Sequence, residues 1–333
     1  MPKTGISYFG NRNPRHFVID LEEIVSHHCN YIVHCFSEND QLFYKNTMSD
    51  LIELSKGADL EVHLLPWGLG RAFAGEAFSH YALDNYSGNQ RYETGEYAPA
   101  ACPNDPRFVD FIIAWIDDAA RMGADALCWK EPHFYNIYEF GSLKKMACFC
   151  ENCQRKYRVF YGEKFPSEPN EHLHQFREDA MIDFLATLCS YAKMKGLRNS
   201  ICLPPDKADA SGIINLEKLA RIPELDTLAA NPYWIFLNKD LKFVATSAKR
   251  IVQISKKYEI EPMLWVQNFK IPHDRGAEIL EAIAISYAEG LRNFAAWSYY
   301  GTEYMSYIKC DHPKSVWDQL GEIYGKIQSG EWE

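Results

Sequence analysis

At 333 residues and 47% hydrophobic content, the chain can bury a large core, either as one barrel with long loops or as two ordinary domains. A formal net charge of -10 and a pI near 5.6 exclude a nucleic-acid partner, whose phosphates demand a basic surface, and disfavour an anionic membrane surface. No apolar run approaches the roughly 18 residues that span a bilayer.

Short apolar runs alternate with helical periodicity along the whole chain, the βα pattern of a parallel sheet. Strands are expected over 5–9, 31–35, 61–66, 124–129, 199–203, 226–229, 262–266 and 293–297. Helices are expected over 21–27, 48–56, 106–122, 171–195, 216–221, 240–257, 276–289 and 315–328. Eight such units in one chain predict a single (β/α)8 TIM barrel over 1–333, with long loops after strands 3 and 4. Those loops, 68–106 and 131–169, are long for a compact domain and mark function.

The unusual residues gather where strands end, which is where such a barrel builds its active site. Glu131 follows the fourth strand in Trp129-Lys130-Glu131-Pro132, flanked by His133, and a carboxylic acid there can donate a proton. Cys148-Phe149-Cys150-Glu151-Asn152-Cys153 sets three thiols too close to serve as disulfide partners for one another. They suit a tetrahedral zinc, with Cys102 as the fourth ligand, in a closed structural site. The N-terminal residues lack the apolar stretch of a secretory signal. Ten cysteines without one read as cytoplasmic thiols plus a metal site, not a disulfide framework.

Glu131-Pro132 at the end of strand four, with Cys102 before it and Cys148, Cys150 and Cys153 after it, resembles the barrel glycoside hydrolases of the largest retaining clan. Among them the chain is most similar to the family-42 β-galactosidase type. That resemblance implies Glu131 as acid/base and the four cysteines as zinc ligands, with no organic cofactor. The chain departs from the pattern at strand seven, where Gln267 or Asn268 stands in place of the nucleophilic glutamate, and at Lys130, where the clan has asparagine.

A glycosidase needs two carboxylates, so the partner of Glu131 must come from outside strand seven. Glu303, after strand eight, and Glu76, among glycines in the third loop, rank first. Asp206, Glu38 and Asp40 also stand at strand ends. Flat apolar faces for sugar rings are expected from Tyr8, Trp67, Trp234, Trp265, Phe269, Trp297 and Tyr299. Hydroxyl partners are expected from Arg71, His133, Asp206, Asn231, Gln267 and Asn268. The leading expectation is a hydrolase acting on an oligosaccharide or glycoside, and a homo-oligomer is compatible with it. The alternatives are a barrel that binds sugar without cleaving it, and a lyase or isomerase of a polyhydroxylated substrate using Glu131 with His133 or Lys130.

Overall fold

A computed structural model of the chain describes residues 2–139, 142–205 and 208–332. Eight parallel strands close on themselves in chain order: β1 Lys3–Tyr8, β2 Tyr31–Cys35, β3 Glu61–Leu65, β4 Ala126–Lys130, β5 Arg198–Leu203, β6 Thr227–Ala230, β7 Glu261–Gln267 and β8 Asn293–Trp297, with β8 pairing β1. Around them run α1 Pro14–Ser26, α2 Lys45–Gly57, α3 Pro106–Arg121, α4 Glu171–Met194, the single turn α5 Leu216–Leu219, α6 Leu241–Tyr258, α7 Glu278–Ala288 and α8 Pro313–Gln328. The expected TIM barrel is thus the observed fold. None of the described helices is long and apolar enough to cross a membrane.

Alternation along each strand divides the buried side chains into two cores. Ile6 of β1, Ile32 of β2, Val62 and Leu64 of β3 and Leu127 of β4 pack outward against the helices. Tyr31, Val33, Cys128, Cys202, Ala229, Met263, Trp265 and Ala295 fill the barrel. Gly5 is there because Tyr31 needs its space: a Cβ at Gly5 would lie 2.3 Å from the Tyr31 ring, whose hydroxyl donates to Asn293 Oδ1 at 2.9 Å.

Helix α1 starts seven residues before the expected 21. Asn13 accepts from the Arg15 N–H and Pro14 opens the first turn, a start signal that the apolar periodicity alone does not carry. The long loops are also less irregular than expected. The third holds an antiparallel hairpin of Asn89–Arg91 with Tyr97–Ala101, and the fourth pairs Ile137–Glu139 with Ser142–Lys145 before a helix, Glu151–Tyr161.

His34 on β2 faces the helices, and its Nε2 lies 3.0 Å from Ser55 Oγ. The Ser55 hydroxyl donates to Leu51 O, so it accepts from a neutral imidazole. Burial, with Arg12 adding to it, pulls the His34 pKa down to about 3. The folded state therefore refuses a proton that the unfolded chain takes up near pH 6.5, so this contribution is complete above pH 6.5 and lost as pH falls toward 3. Urea unfolding of the wild type between pH 6.5 and 4.5 should show about 1 kcal/mol lost per pH unit in excess of His34→Gln. Identical slopes for the two proteins would remove His34 as the cause.

Candidate active site

The C-terminal ends of the strands enclose a cavity of about 330 Å³, which opens beside a wider cleft of about 920 Å³. Glu131, Glu76, Lys130, Asn231, Trp67 and Trp297 line the cavity, and Trp67 and Glu76 also line the cleft.

Two carboxylates reach this cavity because the third loop folds back onto the end of β4. The Ala74 N–H donates to Lys130 O at 3.1 Å, and the His133 N–H to Ala72 O at 2.9 Å. Glu76 therefore follows closely after one tie and Glu131 immediately after its partner. The loop is held from the other side by Glu38, whose buried carboxylate accepts from the Gly70 N–H, the Ser79 hydroxyl and the Tyr81 N–H, each at 2.7 Å. Glu38 is thus fully used as an anchor and is not a candidate acid. Asp40 is likewise spent on Arg12, at 2.6 and 3.1 Å, and on capping the short helix that begins at Glu38.

Glu131 itself sits at φ 49°, a left-handed conformation that a side-chain-bearing residue keeps only when its surroundings dictate it. Its Oε1 accepts from Asn231 Nδ2 at 2.6 Å, which leaves Oε2 for a proton. Asn231 is 3% exposed and its Oδ1 has no partner among the described residues, so a ligand hydroxyl would complete it. His133 Nδ1 lies 2.9 Å from the Glu131 carbonyl, and burial pushes its imidazolium down, so the ring is a neutral brace.

Beneath the carboxylates lies Lys130, 3% exposed, with Nζ 2.7 Å from the Tyr233 hydroxyl. Its ammonium stands 3.9 Å from the Trp297 ring centre, 4.3 Å from Trp265 and 5.2 Å from Tyr233. Burying an ammonium costs several kcal/mol. Cation–π contacts of up to about 2 kcal/mol each when desolvated, plus a charged hydrogen bond of about 1.5–3 kcal/mol, offset that cost. Burial, with the nearby Glu131 charge, holds the Tyr233 phenol well above its usual range, so it stays protonated.

Several residues expected at the mouth lie elsewhere. Tyr8 and Tyr299 point outward, donating to Asp20 at 2.6 Å and Glu23 at 2.7 Å on α1. Trp234 turns away because Asn231 and Tyr233 take the inward positions after β6, and its Nε1 donates to Glu278 at 2.7 Å. Trp265 is buried below the cavity as barrel filling. Gln267 is consumed by the backbone, accepting from the Ile235 and Phe236 N–H groups and donating to Phe269 O. Asn268 donates to Ser298 O at 2.7 Å and is buried. Arg71 is exposed and bonds the Tyr135 hydroxyl at 3.1 Å. Glu303 is exposed and lines neither hollow. Asp206 lies outside the described residues. Trp67, Trp297, Phe269 and Asn231 do line the cavity. Tyr233 is the residue missing from the sequence reading, although the inward parity of Asn231 points to it, two residues on, in preference to Trp234. Tyr307, in the loop after β8, carries no such signal.

Away from the cavity, Cys102 Sγ lies 3.5 Å from Cys150, 3.6 Å from Cys153 and 3.8 Å from Cys148, and all four sulfurs fall within 4.8 Å of one another. Four buried sulfurs so placed could hold a metal. A tetrahedron with metal–sulfur bonds of about 2.3 Å has edges of about 3.8 Å, so the spacing fits. The Asn104 N–H and side-chain amide and the Arg91 N–H point at three of the sulfurs, at 3.2–3.4 Å, which favours thiolates. Burial and the neighbouring thiols push Cys102 up, while its contacts with Cys102, Cys148 and Cys153 hold Cys150 well below the usual thiol range. All ten cysteines are free and buried.

No protein-family model matches the chain, and no curated protein does. Among solved structures it is similar to an endo-β-1,4-mannanase from Thermotoga petrophila, with a TM-score of 0.63 at 11% identity over 99% of this chain and 77% of that one. An endo-1,4-β-mannanase from Rhizomucor miehei gives 0.62 at 8% identity, over 98% and 95%. A D-allulose 3-epimerase from Methylomonas sp. gives 0.52 at 11%, over 98% and 96%. At such identities the likeness is one of fold, and it does not single out the family-42 type. The neighbours are sugar-acting barrels of both hydrolase and epimerase kinds.

The Lys130–Tyr233 bond can be isolated by a double-mutant cycle. Tyr233→Phe should destabilise the protein by about 2 kcal/mol, and by much less when Lys130→Met is already present. Equal losses in both backgrounds, measured by denaturant unfolding, would show that the bond contributes nothing.

Proposed function

We propose that the protein is a glycoside hydrolase whose catalytic pair is Glu131 and Glu76. The supporting observation is that these two carboxylates line one cavity, walled by Trp67 and Trp297, with the β3 loop bonded directly to the end of β4. Glu131, held at Oε1 by Asn231, gives its Oε2 proton to the glycosidic oxygen as the bond to the anomeric carbon breaks. Glu76, exposed between cavity and cleft, supplies the opposing carboxylate, either to the anomeric carbon or to an attacking water. Asn231 Oδ1 accepts a sugar hydroxyl, and Trp67 and Trp297, stacked on each other, give the cavity an apolar wall. His133 braces the Glu131 backbone and Asn231 holds its carboxylate, so both act on the proposed acid.

Glu131→Gln should lower kcat on aryl glycosides by about 10²–10⁴-fold with a circular dichroism spectrum like the wild type's. Glu76→Gln should do the same. Full activity in either variant would break the proposed pair, and a protein that binds glycosides but cleaves none would be a binding barrel instead.

The four cysteines would hold a structural zinc, which supplies cross-linking of the third and fourth loops and no open coordination position for substrate. Free thiols throughout suit a reducing compartment, the cytoplasm. Elemental analysis should find about one zinc per chain, lost together with thermal stability in Cys148→Ser/Cys150→Ser. Metal-free protein with unchanged stability would rule the site out.

A further inference from the structure

The cleft beside the cavity is not used by the hydrolysis described above, although the two hollows share a wall. Phe9 lines the cleft, Trp297 the cavity, and Trp67 both. These three rings form one cluster, with Phe9 5.2 Å from Trp67 and 5.6 Å from Trp297, and the two tryptophans stacked at 4.9 Å and 6°. An aromatic sill thus runs out of the cavity into the cleft, with Glu76 beside it.

The cleft carries three carboxylates, Asp20, Asp40 and Glu76, and one guanidinium, Arg12, so its charge is net negative. Arg12 forms a two-pronged pair with Asp40, and Asp20 accepts from the Tyr8 hydroxyl at 2.6 Å and Asn11 Nδ2 at 3.0 Å. Besides the exposed Glu76 carboxylate, what faces outward is aromatic or neutral and polar: Tyr44 at 42% exposure, Phe78 at 57%, with Asn39 and the His80 ring 5.1 Å from Phe78. Such a surface suits uncharged hydroxylated rings better than an anion. In size, the cavity is at the lower end of ligand sites, roughly 300–1,000 Å³, and the cleft at the upper end. Together they exceed what one sugar ring fills.

We infer that the substrate is a neutral oligosaccharide chain of several units, whose cleaved end enters the cavity while the following units lie in the cleft over Phe9, Phe78 and Tyr44. This rests on the reading of Glu131 and Glu76 as a hydrolytic pair, since that pair places the bond to be broken at the sill. Phe78 and Tyr44 bind the distal units and take no part in the chemistry.

Calorimetric titration of Glu131→Gln protein with gluco-, manno-, xylo- and galacto-oligosaccharides of one to six units tests this. For at least one series, affinity should rise tenfold or more between the disaccharide and the tetrasaccharide. Phe78→Ala and Tyr44→Ala, both exposed positions, should remove most of that gain and leave the disaccharide affinity as it was. Affinity independent of length, or a length gain unaffected by both substitutions, would overturn the cleft assignment. If wild-type protein still cleaves short aryl glycosides in that case, the hydrolytic reading stands and only the cleft assignment falls. If no series binds and no glycoside is cleaved, both fall.

Discussion

A buried ammonium with no carboxylate partner among the described residues must be solvated by something, and at Lys130 that requirement organises the mouth of the barrel. Trp297, Trp265 and the Tyr233 hydroxyl surround Nζ, and each comes from a different strand end. The rings cannot be traded for aliphatic side chains of equal volume, because a methylene surface offers no quadrupole to a cation. Fixing Tyr233 also fixes Asn231, two residues before it, and Asn231 holds Glu131. Lys130 is itself the residue before Glu131, so both partners of that 2.6 Å contact are placed by the same charge. The strained φ of Glu131 is tolerable for that reason: the chain is pinned on both sides of it.

The fold was legible because alternation is a strong signal when both faces of a strand are buried. Inward Tyr31, Val33 and Cys35 and outward Ile32 and His34 are all apolar or neutral, giving the short continuous runs that mark parallel strands. The four cysteines were equally legible, since their sequence spacing alone restricts what they can be. The side chains at strand ends were less so. Tyr8 and Trp234 look like platforms by residue type, but one residue of parity sends each to the helical layer. Glu38 and Gln267 look like site residues by position, yet Glu38 is exhausted on donors of the third loop and Gln267 on the Ile235 and Phe236 N–H groups and the Phe269 carbonyl. Sequence alone does not say which loop will come within hydrogen-bonding reach.

That same ambiguity explains why Glu76 and Glu303 could not be ranked beforehand. Both follow glycine-containing turns near strand ends. What separates them is the tie between Ala74 and Lys130, a backbone contact across 56 positions that no local pattern encodes. The thiolate set works on the same two loops at greater distance, since Cys102 closes the third and Cys148, Cys150 and Cys153 belong to the fourth. Tyr92 pairs with Ala147 between them, and the Phe149 N–H donates to Arg91 O. One pair of loops is therefore clamped at its far end by sulfur and at its near end by backbone hydrogen bonds, with the carboxylates held at the near end.

Strand seven shows what the rearrangement costs and gains. Gln267 stands where a nucleophilic carboxylate would be expected from the resemblance, and it is fully buried with every polar atom used. A glutamate there could still accept from the Ile235 and Phe236 N–H groups. It would lose the donor to Phe269 O and set a charge against that carbonyl, an unfavourable exchange at a position with no solvent. An amide is thus the group that suits this position, because it must both accept and donate. With strand seven committed to clamping the loop that carries Phe236, the proposed hydrolysis draws its second carboxylate from another loop over the mouth. The third loop, anchored by Glu38 and bonded to β4, brings Glu76 to the cavity that Glu131 lines.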